Sequence, residues 1–282
     1  SSDLFSVATT PDSKTIVSGD CGLKIWDLDS GKLLRILENN STKVFSVAII
    51  PDGNTIISGG LDRTIKVWNL RSGELIRSFK GQVYSITSLV VTPDGKTAIA
   101  GSGCHNTIKV WDWRSGKEIR WFKGRCKVGL CNAITSDGKI VASSSYDNTI
   151  AVWNLGRCEY IHSLQEHFDL VKSVAITPDG QTLVSGSWDC TIKVWNLRSG
   201  ELLRTQEGDS YRINSVAITP DGKTIVNGGE DRTIKIWDLR SGELIQTLAG
   251  HSGSVNSVAI TADGKSIVSG SADGTIRVWG IK

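Results

Sequence analysis

The sequence predicts an all-β fold: a closed ring of seven blades, each of four antiparallel strands, with the last blade lacking its outer strand. Three observations predict it. An indole returns at a near-constant period along the chain, each period holds short alternating runs separated by turn residues, and seven units contain only six fourth runs. The indole stands in Ile-Lys-Val-Trp or a close variant at Trp26, Trp68, Trp111, Trp153, Trp195, Trp237 and Trp279, with intervals of 42 residues and a single interval of 43. A repeat of this length is one supersecondary unit that buries its apolar faces by stacking on its neighbours. No linker or shift in composition interrupts the series, so residues 1–282 read as one domain.

Unit 5 shows the elements in order. Val171–Ile176, Thr182–Gly186, Thr191–Trp195 and Glu201–Thr205 are alternating runs rich in β-branched residues, which suits strands of about five residues. Between the first and second runs stands Pro-Asp-Gly, as at Pro51-Asp52-Gly53 and Pro178-Asp179-Gly180. There Pro presets φ and Gly accepts the positive φ that ends the turn. Arg-Ser-Gly-Glu or a variant joins the third run to the fourth, as at Arg71–Glu74. Such short loops imply antiparallel neighbours. In unit 4 Cys158 occupies the Gly slot, so a non-Gly residue at positive φ is expected there. Apolar residues nowhere recur at helical spacing over a helix-length window.

Seven meanders cannot each bury two faces alone. Radial stacking about an axis solves this and leaves only short edges, which gives a seven-bladed β-propeller. The sequence resembles the WD-repeat (WD40) family along nearly its whole length. The resemblance rests on Ser-Gly-Ser-x-Asp-x-Thr-Ile-x-Val-Trp in units 5 and 7, on Trp-Asp or Trp-Asn closing six units, and on Gly250-His251 before the last. Trp279-Gly280 departs from the dipeptide. The near-identical units look like recently duplicated bacterial repeats.

Composition bounds the function. Hydrophobic residues make up 39% and charged residues 22%, a globular balance that excludes wholesale disorder. A net charge of +3 does not argue for nucleic acid or an anionic membrane. No apolar run approaches the roughly 20 residues of a membrane span, and Ser1–Phe5 lacks the pattern of a signal peptide. With no Met even at position 1, the chain is expected to be a piece of a longer protein. Six Cys at irregular spacing, without C-x-x-C, point to a reduced, cytoplasmic protein. Nothing reads as a phosphate loop, so no nucleotide cofactor is expected.

Two units hold Ser, His and Asp at matched offsets: His167, Ser185, Asp189 with Trp195, and His251, Ser269, Asp273 with Trp279. These residue types could form a nucleophilic triad. In the resembled family they form a structural chain from the Trp ring N–H through Ser and His to the loop Asp. Duplication at the repeat period favours the structural role, since a hydrolase needs one site with one oxyanion hole. The set decays elsewhere: His is replaced by Asn40, Gln82, Arg125 and Asp209, and Asp by His105. No catalytic residue is assigned.

Cys104, His105, Cys126 and Cys131 match no zinc-finger spacing, so no metal site is assigned. The densest basic run, Arg114 to Lys127, interleaves Trp113, Trp121 and Phe122. It could grip a phosphate backbone, but the outer strand of a blade is also where solvated Lys and Arg belong, and this second reading is preferred.

In the resembled family, partners dock on the narrow face near the channel mouth, and two positions per unit point there. The strand position falls on Phe5, Phe45, Thr87, Leu130, Lys172, Asn214 and Asn256, and the loop position on Gly19, Leu61, Cys104, Tyr146, Trp188, Glu230 and Ala272. Phe5, Phe45, Leu61, Leu130, Tyr146 and Trp188 are large and apolar although the repeat does not need them; with Lys172 and Glu230 they are the candidate partner contacts. The alternative is that some plug the channel as ordinary packing. In unit 7, Thr275–Trp279 is expected to be an unpaired edge that recruits a strand from another molecule or from an upstream segment. The reading that follows is a non-enzymatic scaffold for a protein or peptide partner, within a larger regulatory, signalling or defence protein. A self-assembling module paired through the open edge, or an enzyme with its site at the channel mouth, stand as the alternatives.

Overall fold

The computed structural model describes residues 3–37, 42–81, 84–102, 107–123, 128–207 and 211–281, and among them holds 27 strands and no helix. Blade 1 is β1 (Ser6–Thr9), β2 (Thr15–Gly19), β3 (Leu23–Asp27) and β4 (Leu33–Leu37). Blade 2 is β5 (Val44–Ile49), β6 (Thr55–Gly60), β7 (Thr64–Asn69) and β8 (Leu75–Lys80). Blade 3 is β9 (Ser88–Val91), β10 (Thr97–Gly101), β11 (Thr107–Asp112) and β12 (Lys117–Lys123). Blade 4 is β13 (Val128–Ile134), β14 (Ile140–Ser145), β15 (Ile150–Asn154) and β16 (Glu159–Leu164). Blade 5 is β17 (Val171–Ile176), β18 (Thr182–Ser187), β19 (Ile192–Asn196) and β20 (Leu202–Gln206). Blade 6 is β21 (Ile213–Ile218), β22 (Thr224–Gly229), β23 (Thr233–Asp238) and β24 (Leu244–Ala249). Blade 7 has three strands, β25 (Val255–Ile260), β26 (Ser266–Ser271) and β27 (Ile276–Gly280). In every sheet the order follows the chain, so each blade is a meander.

The protein is thus a seven-bladed propeller whose last blade is three-stranded. The first strand starts at Ser6; before it, the backbone N–H of Leu4 donates to Ser271 O of blade 7 and that of Phe5 to Gly19 O. The edge strand covers Ile276–Gly280, one residue beyond the expected run.

Turn chemistry fixes each hairpin. Gly53, Gly95, Gly180 and Gly222 take the positive φ of the Pro-Asp-Gly turns, and Cys158 takes φ 57° where other units place Gly. A non-Gly residue there costs roughly 1 kcal/mol. In all six four-stranded blades a bulge between the third and fourth strands falls immediately before the Trp, as at Val194/Trp195. A bulge bends the strand and re-aims the side chain beside it.

The core consists of wedges between adjacent blades. Val17, Leu23, Ile25 and Leu37 of blade 1 pack on Val44, Val47, Ile56 and Trp68 of blade 2, and the pattern recurs around the ring. Covered on both sides, the second strand of a blade is buried throughout, as in β6. The close approach explains Gly in Ser-Gly-Ser: a Cβ on Gly186 would lie 2.6 Å from Ile213 Cγ2 in the next blade.

A polar ring ties the inner strands together. The backbone N–H of Val47 donates to Ser6 Oγ (3.2 Å), Leu89 to Ser46 (2.9 Å), Asn132 to Ser88 (3.0 Å), Val216 to Ser173 (3.0 Å), Val258 to Ser215 (3.1 Å) and Val7 to Ser257 (3.1 Å). In blade 4 Cys131 takes the Ser position and accepts from Val174 N–H. The Ser257 to Val7 bond joins the last blade to the first, beside Asn256 Nδ2 donating to Leu4 O at 2.9 Å. Among the described residues no helix is long and apolar enough to cross a membrane.

Candidate functional site

In blade 5 the ring N–H of Trp195 donates to Ser185 Oγ (2.9 Å). His167 Nε2 lies 2.7 Å from the same oxygen, and His167 Nδ1 lies 2.7 Å from Asp189 Oδ2. Blade 7 repeats the chain through Trp279, Ser269, His251 and Asp273, at 2.8, 2.8 and 2.9 Å. An ionised carboxylate only accepts, so Nδ1 carries the proton toward Asp and Nε2 accepts from the Ser hydroxyl. Burial opposes ionisation of Asp189, but hydrogen bonds from His167, Thr191 and Phe168 N–H outweigh it and hold the carboxyl well below the usual range. Asp273 is held low in the same way, by Thr275, Ser252 N–H and His251 against burial. Ser185 and Ser269 are fully buried, and each Oγ already accepts an indole N–H. A substrate carbonyl cannot reach an oxygen placed there.

Blades without the His solve the same problem differently. Lys24 pairs with Asp20 at 2.6 Å, Lys66 with Asp62 at 2.8 Å, and Lys235 with Asp231. In blade 5, where His167 takes the Asp, the equivalent Lys193 turns to Thr205 Oγ1 at 2.9 Å. Burial works against ionisation of Asp62 and Asp231, but Lys66 and Lys235 hold both below the ordinary range. The replacement residues Asn40, Gln82, Arg125 and Asp209, with His105, lie outside the described residues.

Of the four residues weighed for a metal, Cys104, His105 and Cys126 also lie outside the described residues. Cys131 is held by Ser144, and burial pushes its thiol up to about 11, which keeps it protonated. The basic run divides by side. Arg120 donates to Leu155 O (2.9 Å) and Gly156 O (3.1 Å) of the next blade, Arg114 stacks on buried Trp113, and Phe122 packs on Trp153. Trp121 alone of the three aromatics faces out, and Arg125 and Lys127 are outside the described residues.

The channel mouth opens as a cavity of about 670 Å³ lined by Phe5, Phe45, Thr87, Leu130, Lys172, Asn214 and Asn256, the strand position of every blade. Tyr146, Trp188, Glu230 and Ala272 of the loop positions line it too, whereas Leu61 stands outside it, 51% exposed. Cys104 lies outside the described residues. Two clusters organise the mouth. Phe5 and Phe45 meet edge-on at 5.4 Å with Lys43 over Phe5. Across the ring, Lys172 Nζ sits 5.0 Å and Arg212 Cζ 4.6 Å from the Trp188 ring centroid, and Trp188 Nε1 donates to Asn214 Oδ1 at 3.2 Å. Burial pushes the Lys172 ammonium below the usual lysine range.

Sequence reasoning missed three residues on the loops between blades: Phe168, 86% exposed, Tyr211 and Tyr84. Phe168 had a readable signal. It directly follows His167, and its backbone N–H donates to Asp189 at 3.0 Å, so the buried polar chain pins the loop that presents its ring to solvent.

Comparison with protein families gives seven consecutive matches to the WD domain, G-beta repeat, at residues 1–27, 31–69, 73–112, 116–154, 158–196, 200–238 and 242–280. Each match after the first starts with the outer strand of one blade and ends with the third strand of the next, so the repeat itself staples neighbouring blades. No curated protein matches the chain.

Proposed function

Because this chain belongs to the WD40 family of G-beta repeats, we propose that it is a non-catalytic docking domain that holds a protein or peptide segment over the channel mouth. One observation carries the reading: most of the side chains that vary from unit to unit gather around one cavity, while the side chains of the recurring Ser, His and Asp are covered in blades 5 and 7. Exposed aromatic and aliphatic side chains gathered on one surface mark interaction sites. Among the described residues Cys21, Cys131 and Cys158 form no disulfide, which agrees with a reducing, cytoplasmic setting. Residues 1–282 act as one unit, the interaction module of a larger regulatory, signalling or defence protein.

The test is selection of binders from a displayed random-peptide library on the protein, followed by affinities for Trp188→Ala and Phe45→Ala. Each substitution is expected to weaken binding about tenfold or more without lowering the melting temperature. Selected peptides that bind both variants as tightly as the original overturn the reading.

A second reading concerns the outer side of β27. Among the described residues no strand lies beside it, Val278 is 42% exposed, and a Cβ on Gly31 of blade 1 would meet nothing within 4 Å. We infer that this edge accepts an added strand whose side chains follow the outer-strand pattern. A peptide with the sequence of β8, Leu75 to Lys80, should raise the melting temperature, and an unchanged value would remove this reading. Light scattering that grows with concentration would identify the added strand as another copy.

A further inference from the structure

We propose that the channel mouth recognises an acidic partner segment, seating a side-chain carboxylate on Lys172 beside the Trp188 indole. This deepens the docking reading and rests on it. The Lys172 ammonium projects into the cavity with no carboxylate in ion-pair range among the described residues. Its neighbours are the face of Trp188 and the Cys131 thiol, which stays protonated. A partly desolvated cation without a counter-ion is destabilised, and an arriving carboxylate removes that penalty. The downward push of burial on this ammonium is the same effect.

Arg212, its guanidinium 4.6 Å from the Trp188 ring centroid, adds positive charge on the same indole. Among the described residues the one carboxylate within 4.0 Å of Arg212 is Glu230 at 3.9 Å, the limit of an ion pair and too long for a hydrogen bond. The same arrangement argues against a basic ligand. An indole attracts cations, but Trp188 already holds Lys172 and Arg212, and a third would meet their repulsion. The other lining carboxylate, Asp3, belongs to the blade 1 sector on the far side of the ring from Lys172.

The surroundings define what flanks the acid. Leu130 and Tyr146 line the wall beside Lys172, and Trp188 N–H donates to Leu170 O, two residues past the exposed Phe168 ring. The expected occupant is an extended segment with Asp or Glu beside a bulky apolar residue.

The experiment selects peptides from a displayed random library on the unmodified protein, on Lys172→Gln and on Arg212→Gln, with melting temperatures recorded for each. Among peptides whose binding is lost on Trp188→Ala, Asp or Glu should be enriched at one position next to an apolar residue, and the enrichment should vanish on Lys172→Gln. Replacing that acid by its amide should weaken binding to the unmodified protein at least tenfold and leave binding to Lys172→Gln unchanged. Peptides sensitive to Trp188→Ala that show no acidic preference would overturn the carboxylate seat and keep the docking reading. A library with no peptide sensitive to Trp188→Ala would overturn both. If Lys172→Gln proves unfolded, the same comparison on Lys172→Met decides.

Discussion

The interface between blades 1 and 2 and the seam between blades 7 and 1 come from the same repeat and differ by one strand. At the first, β4 supplies Leu37, which packs on Trp68, and Arg35, which lies against the turn at Gly73. Trp68 is consequently 1% exposed. At the second no outer strand is present among the described residues; Trp26 is half-buried and the turn at Gly31 faces open space. The inner half of the seam is nonetheless complete: Ser257 holds Val7, and Val268 packs with Val7, Ile16 and Leu28. The outer strand therefore covers the indole and caps the next turn, while ring closure is the work of the inner strands.

The largest expected effect tests the cover directly. Trp68→Ala should cost about 3–5 kcal/mol, and Trp26→Ala clearly less, about 1–2 kcal/mol, in urea denaturation. Equal losses would break the comparison. Next come the polar chains, which lie on the inner side in both regions. His167→Ala and His251→Ala should each cost about 2–3 kcal/mol, and a much smaller loss for His251→Ala would mean that the seam loosens the inner blade too. These chains also set the acid response. Because the folded values of Asp189 and Asp273 are depressed, their stabilisation is complete above the unfolded value near 4 and is lost as pH falls through the folded one. Asp189→Asn should therefore flatten the acid limb of the stability curve.

The interface between blades 5 and 6 is a milder version of the seam. Its outer strand is present, but the covering position holds Gln206 where other blades place Leu or Phe, and both amide atoms are buried without partners among the described residues. Gln206→Leu should stabilise by about 1–3 kcal/mol, read from the denaturation midpoint. The smallest effect concerns the polar ring. Ser46→Ala and Ser257→Ala should each cost about 1 kcal/mol, and a larger loss at Ser257 alone would show that closure between blades 7 and 1 depends more heavily on this bond.

Much of this was legible in the sequence because the repeat supplies its own controls. Seven indoles at one period locate the strands, and Cys158 in a Gly slot announces its positive φ. The cavity-lining positions follow from the same period. What could not be read depended on context. Lys24, Lys66 and Lys193 occupy the same place in the repeat, yet the first two reach the loop Asp and the third does not, because in blade 5 His167 already holds Asp189. The pairing of Lys172 and Arg212 on one indole joins residues from two blades, a proximity that no pattern within a single unit encodes.

The serines around the axis grip backbone amides, so their bonds are indifferent to the identity of the residue standing beside each of them. Phe5, Phe45, Leu130 and Lys172 can consequently be exchanged one at a time without touching these bonds, whereas Asn214 and Asn256 also donate to the backbone carbonyls of Val255 and Leu4 in the next blade. Architecture and specificity are written in separate alphabets here, and a new binding preference can arise by single substitutions while the chassis stays constant.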